Sequence, residues 1–232
     1  MKVLVIMGTP HKGNTRAVTD LFLDEFRAYG AEIDEIVLPR DFGENCLGCA
    51  NCILHGEDKC PHQEKIGAIV EKMKNAELII TATPVYVYSC SGAMKSLLDH
   101  FAYMWLVHRP EESMFGKTGL IITSAGGSGV KETVKLLKSN MSFWGISSVY
   151  KYGVTTMKMG GNYADYKDKD RIKTQVKKVA AKVKRSIAKK KTGFGTKFMF
   201  GIFRLTQKNG WNRTDSDYWK EKGWTGNKRP WK

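Results

Sequence analysis

No apolar run in the 232 residues approaches the roughly 18 to 20 needed to cross a bilayer; Val3–Met7, Leu78–Ile80 and Leu120–Ile122 are all far shorter. The first of these is cut off by Gly8 and a polar loop, too early for a secretory signal, so a cytoplasmic protein that starts directly in a strand is expected. There is no internal repeat. A secreted disulfide framework is also missing: of five cysteines, four crowd together as Cys46, Cys49, Cys52 and Cys60, and Cys90 stands apart. A chain of this length buries enough apolar surface to fold without such staples. No Ser/His/Asp set or paired carboxylates suggest acid–base or nucleophilic catalysis, and His100 and His108 read as structural residues or as supports behind a site rather than as catalytic groups.

Charge is unevenly placed. Residues 1–164 hold 17 Lys and Arg against 17 Asp and Glu, whereas residues 165–232 hold 21 against 6, so the whole formal charge of +15 lies in the last part. A basic segment beside a neutral body points to a solvated helix face or to an arm for an acidic surface.

What is present along the chain is an alternation of short apolar strands and amphipathic helices. Strands are expected at Lys2–Met7, Glu32–Leu38, Leu78–Thr83, Thr118–Thr123 and Ser148–Thr155. Helices are expected over Thr15–Tyr29, Gln63–Lys74, from Gly92 through Phe101, from the glycine-rich loop to about Phe143, and over Ala164–Lys189. This predicts an α/β fold: a doubly wound five-stranded parallel sheet of order 2-1-3-4-5, with a ligand crevice beyond the carboxyl ends of strands 1 and 3. Residues 1–189 form the expected domain, and 190–232 a basic, aromatic extension in which no strand is evident.

Three loops leave the carboxyl ends of strands 1, 3 and 4. Gly8-Thr9-Pro10-His11-Lys12-Gly13-Asn14-Thr15 offers hydroxyls, backbone N–H groups and a helix N-terminus, a combination suited to a phosphate. It lacks the Gly-Lys-Ser/Thr ending of a Walker loop and the Gly-x-Gly-x-x-Gly of dinucleotide sites, so a mononucleotide is the better guess. A plain turn with Asn14 or Thr15 as N-cap is the structural alternative. Thr83–Gly92 brings Tyr86 and Tyr88, which either edge a flat ring or pack under the loop. Ser124–Gly129 brings glycines that let backbone approach closely.

On these loops the sequence closely resembles the NADPH-dependent FMN reductase family of flavodoxin-like proteins. The matching segments are Gly8–Thr15, Pro84-Val85-Tyr86 with Ser91-Gly92-Ala93-Met94-Lys95 and Asp99, and Ala125-Gly126-Gly127, within roughly residues 1–160. The resemblance implies an FMN held by Thr9, His11, Gly13, Asn14, Thr15, Pro84, Val85, Tyr86, Val87, Tyr88, Ser124, Gly126 and Gly127. It further implies an NAD(P)H-dependent oxidoreductase in which hydride reaches flavin N5 and electrons then pass to a quinone-like, flavin or other small acceptor. A homodimer is expected by the same resemblance, with Tyr88, the Met104–Arg109 region or the extension walling the partner's site.

Cys46-x2-Cys49-x2-Cys52-x7-Cys60 resembles the compact motif of the iron–sulfur flavoprotein branch, which carries a 4Fe–4S cluster near the FMN. Zinc is a second candidate, since four thiolates also satisfy a closed tetrahedral site, or the cysteines pack as free thiols. An electron carrier reduced by ferredoxin is therefore a second functional reading. A third is a non-enzymatic basic adaptor working through residues 190–232. The aromatics of that extension, from Phe194 to Trp231, need something to pack against: the protein's own body or a dimer mate, or else, for Phe198–Leu205 with its flanking Lys and Arg, an anionic membrane surface. Nucleic acid is disfavoured because no RNA-binding signature accompanies them.

Overall fold

The computed structural model describes residues 1–156 and 168–231. Five strands, β1 (Lys2–Met7), β2 (Glu32–Val37), β3 (Leu78–Pro84), β4 (Thr118–Ala125) and β5 (Ser148–Thr155), form one parallel sheet of order β2-β1-β3-β4-β5. This is the expected flavodoxin-like order. The central strands are buried on both faces, which is why they read as unbroken aliphatic runs, whereas the edge strand β2 alternates between exposed and covered positions. β3 and β4 run slightly longer than their apolar segments predicted. Pro84 lies opposite Ser124, and the Val85 amide donates to the Ser124 carbonyl at 2.8 Å, so the ladder continues past the proline.

α1 (Asn14–Ala28) and α6 (Lys169–Lys189) cover one face, packing Val18, Phe22 and Phe26 with Val176, Ala180 and Val183 over Val5, Ile80 and Leu120. The part of the last expected helix that precedes residue 168 lies outside the described residues. On the other face, α3 (Gln63–Asn75), α4 (Gly92–His100) and α5 (Val130–Phe143) bury Ile69, Leu97 and Leu137 against Leu4, Ile79 and Ile121. A short α2 (Asn51–Leu54) lies within the cysteine segment. No described helix is long and apolar enough to cross a membrane.

Beyond Lys190, where the sequence showed no regular pattern, the chain forms α7 (Phe194–Lys208) and α8 (Arg213–Glu221). Glycines and outward aromatics obscure the period of α7, whose inward positions Thr196, Phe200 and Gln207 nonetheless recur at helical spacing. Phe200, Trp219 and Trp224 bury themselves with Leu106 and Phe115 of the preceding chain. The indole N–H of Trp219 donates to the His108 carbonyl at 2.6 Å, Gln207 to that of Val107 at 2.5 Å, and the Tyr218 hydroxyl to that of Pro110 at 2.8 Å. Leu106 and Arg109 are consequently buried within the chain itself, while Met104 is buried in the core between the sheet and α4. Trp105, Val107 and His108 of the same segment stay half-buried.

A buried ion pair sits at this junction. Arg109 donates through Nη1 to Oδ1 of the fully buried Asp215, while His108 Nδ1 lies 2.8 Å from Oδ2. Removing the carboxylate would leave a guanidinium that is only 5% exposed with the partly exposed Glu57 as its one remaining anionic partner among the described residues, beside the carbonyls of Cys52 and Ile53. Asp215→Ala should therefore cost about 3–5 kcal/mol, seen in urea titration as a lower midpoint; an unchanged midpoint would show that the pair carries no stability.

Candidate functional site

The first loop is held at its start by close contact with the second. Gly8 donates its amide to the Ala82 carbonyl at 2.7 Å, and a Cβ there would stand 2.9 Å from both Ser91 Oγ and Thr83 Oγ1. Only glycine fits. Ser91 Oγ donates to the Gly8 carbonyl at 2.6 Å and accepts from the Met94 amide at 3.2 Å, so one hydroxyl caps α4 and ties it to β1. Neither Asn14 nor Thr15 is the N-cap of α1. Gly13 holds that position with no side-chain cap bond, which leaves the first-turn amides without this competitor for an anion. Thr15 Oγ1 instead meets Ser124 Oγ at 2.6 Å, linking α1 to the end of β4.

In the second loop Tyr86 and Ser89 exchange backbone hydrogen bonds of 2.9 and 3.0 Å around a two-residue turn. Val87 and Tyr88 both take positive φ, 47° and 62°. Such a conformation is costly for a β-branched residue, on the order of 1–3 kcal/mol, and Val87 is 97% exposed at its tip. Tyr86 and Tyr88 are exposed as well, so neither packs under the loop. The Tyr88 hydroxyl accepts from Ser128 at 3.0 Å, joining the second loop to the third. Gly129, with φ of 95°, makes room there, since a Cβ would lie 2.6 Å from Val85 Cγ1.

These loops enclose a cavity of about 730 Å³, within the size range of small-molecule sites. Thr9, His11, Gly13, Asn14, Thr15, Pro84, Val85, Tyr86, Val87, Ser124, Gly126 and Gly127 all line it; Tyr88 does not. Ala125, named above only within a matching segment, and Thr156, absent from the sequence reading, line it too. Thr156 follows β5, whose carboxyl end a parallel sheet must place beside that of β4, and its amide donates to the Ala125 carbonyl at 2.9 Å. Among the described residues no Asp or Glu lines the cavity, and Thr9, Thr15 and Ser124 present nearly buried hydroxyls.

The cysteine segment leaves the carboxyl end of β2, next to β1. Cys46, Cys49, Cys52 and Cys60 line one small cavity with His62 and His100, and all are free thiols. Burial pushes the Cys52 thiol pKa up, and Cys60, Cys46 and Cys49 add to the effect by charge repulsion. Positive φ at Gly48 and Ala50 bends the loop back on itself. His100 Nε2 lies 2.8 Å from His62 Nδ1, and its Nδ1 lies 2.7 Å from the Ser96 carbonyl. Cys60, His62 and His100 hold ligand atoms within 4.8 Å of one another, a mixed alternative to the four-thiol set. Arg109 donates to the carbonyls of Cys52 and Ile53, Asn212 to that of Ile53, and Thr214 to that of Leu54 at 2.7 Å.

A family model described as NADPH-dependent FMN reductase matches residues 1–158. The chain belongs to this family. It is an FMN-using, nicotinamide-dependent oxidoreductase of flavodoxin-like fold, which removes the adaptor reading. An iron–sulfur flavoprotein of Archaeoglobus fulgidus is 25% identical over 226 residues, covering 96% of this chain and 99% of that protein. One from Methanosarcina thermophila is 29% identical over 150 residues, 63% of this chain and 75% of the relative. Among solved structures, an NAD(P)H:quinone oxidoreductase from Methanothermobacter marburgensis superposes with a TM-score of 0.65 at 15% identity, over 79% of this chain and 97% of the other.

The exposures order the thiols of this FMN reductase relative. With the cysteine loop unloaded, iodoacetamide should modify the exposed Cys46 and Cys49 before the half-buried Cys52 and well before the buried Cys90. Peptide mapping after timed quenching reads the order, and early labelling of Cys90 would contradict the described packing.

Proposed function

We propose that this protein passes electrons from NAD(P)H through an FMN in the strand-end cavity to a small acceptor, with a 4Fe–4S cluster on Cys46, Cys49, Cys52 and Cys60. The carrying observation is the cavity itself: hydroxyls, backbone amides and glycines from neighbouring strand ends, with no carboxylate among the described residues to repel a phosphate. Thr9, Thr15, Ser124 and the amides of Gly8–Thr15 would hold the phosphate. Pro84–Val87 and Ser124–Gly127 would border the ring. Bound FMN supplies hydride acceptance and its release as single electrons or pairs, so this chain needs no side chain as acid or base.

The cysteine loop suits a cluster by its donor chemistry: four cysteines, soft thiolate ligands when deprotonated, border one small cavity, none is tied up in a disulfide, and the backbone behind them is held by Arg109, Asn212 and Thr214. The full-length match to an iron–sulfur flavoprotein supports the same reading. α4 connects the two sites, since its cap Ser91 binds Gly8 and its last residue, His100, lines the cysteine cavity. Exposure of Cys46 and Cys49 favours a second reading in which a protein donor such as ferredoxin delivers electrons at the cluster. Residues 1–189 are then the flavin unit, and 190–232 an extension that secures the cysteine loop. The exposed Tyr86–Tyr88 turn is the surface on which we place a second copy of the chain.

Anaerobic stopped-flow reduction by NADH, NADPH and reduced ferredoxin separates the two readings; failure of both nicotinamides would defeat the first. Thr15→Val should weaken FMN binding roughly 5- to 30-fold by loss of one hydroxyl and its bond to Ser124, measured by fluorescence titration of the flavin-free protein. Cys49→Ser, purified anaerobically, should lose iron and acid-labile sulfide while keeping FMN. Full iron retention would remove Cys49 from the ligand set.

A further inference from the structure

Between Asp170 and Asp215 the chain has no acidic residue but fourteen lysines and arginines. α7 lies in this stretch, and its two sides differ. One side packs Phe200, Met199 and Phe203 into the tryptophan cluster. On the other, Phe194, Phe198, Ile202 and Leu205 are 83%, 61%, 47% and 60% exposed. At about 100° per residue these four fall on one stripe roughly 80° wide. Lys197, Arg204 and Lys208 follow one margin of the stripe by the same geometry. Arg204 is fixed there by bonds to the carbonyls of Trp224, Thr225 and Gly226.

A second, separate feature adjoins the start of the helix. A cleft of about 380 Å³ is lined by Lys182, Arg185, Lys189 and Lys191 with the hydroxyl residues Ser148 and Ser186, and without any carboxylate. Gly193, on its wall, is the N-cap of α7, and Phe194 is the next residue. Clustered cations thus lie next to the start of the helix, one residue from Phe194 of the stripe.

A second copy of this chain laid stripe to stripe would bring like charges together, because α7 holds no Asp or Glu to receive them. The occupant must combine a continuous apolar layer with dense negative charge. Anionic lipid does so, and the helix is too short and too polar on its margins to span. We infer that α7 is an in-plane docking helix for an anionic bilayer. Phe194, Phe198, Ile202 and Leu205 enter the boundary between headgroups and acyl chains, and Lys182, Arg185, Lys189 and Lys191 take lipid phosphates.

Flotation of the full-length protein with phosphatidylcholine vesicles, with and without phosphatidylglycerol, tests this alongside sedimentation velocity. The wild type should float only with the phosphatidylglycerol vesicles, and added salt should weaken the binding. Phe194→Ser with Phe198→Ser should lower partitioning about tenfold or more, as should Lys189→Glu with Lys191→Glu; all four positions are at the surface or in the cleft rather than in the flavin cavity. Failure of the wild type to float with anionic vesicles overturns the proposal. So does a serine variant that floats as well as the wild type, or one whose only effect is to split a dimer.

Discussion

The buried pair of Arg109 and Asp215 is the contact on which the non-sheet part of this protein depends. Arg109 has more donors than one carboxylate can use, and it spends the others on Glu57 and on the carbonyls of Cys52 and Ile53. Asp215 has a second oxygen, which takes His108. One guanidinium thus joins the loop after β2, the segment between α4 and β4, and a helix from the far end of the chain. A buried charge is tolerated only when its hydrogen-bonding capacity is filled, and here filling it forces three distant segments into register.

The sheet solves a different problem. Parallel strands bring every β-to-α loop to one edge, so residues near positions 10, 85 and 125 meet without any sequence proximity. Their close approach needs glycine where a Cβ would collide, at Gly8 and Gly129, and small hydroxyls such as Ser91, Thr15 and Ser124 to bond across the gap. The strained turn at Val87 and Tyr88 stands at the rim of the same cavity, in keeping with backbone strain collecting at functional sites. The cysteine loop joins this edge because β2 neighbours β1. Both redox sites in our reading therefore follow from one sheet order.

The legible parts of the fold were those with strong local periodicity. The aliphatic runs of β1, β3 and β4 and the apolar stripes of α1 and α6 carried their own signal, and connection rules for parallel strands supplied the order. The cavity was legible for a related reason: its residues occupy strand ends, where position follows from topology. Tyr88 and Thr156 departed from that reading because a turn's handedness and the end of a neighbouring strand decide which side chains face inward. α7 was missed since its outward aromatics and glycines blur the helical period, and α8 because its nine mostly polar residues carry almost no apolar period; only the burial of Phe200, Trp219 and Trp224 under one another gives them meaning.

By itself, then, the sequence determined the class of fold, the strand-end loops with their phosphate-suited residues, the spacing of the four cysteines and the concentration of positive charge near the end. Each is a property of local composition or of a short motif. Tertiary structure alone decided that Arg109 pairs with Asp215, that the extension backs the cysteine loop, and which side of α7 is left bare. Those outcomes depend on contacts between residues a hundred or more positions apart, whose energies come from burial and complementary charge and leave no periodic trace along the chain.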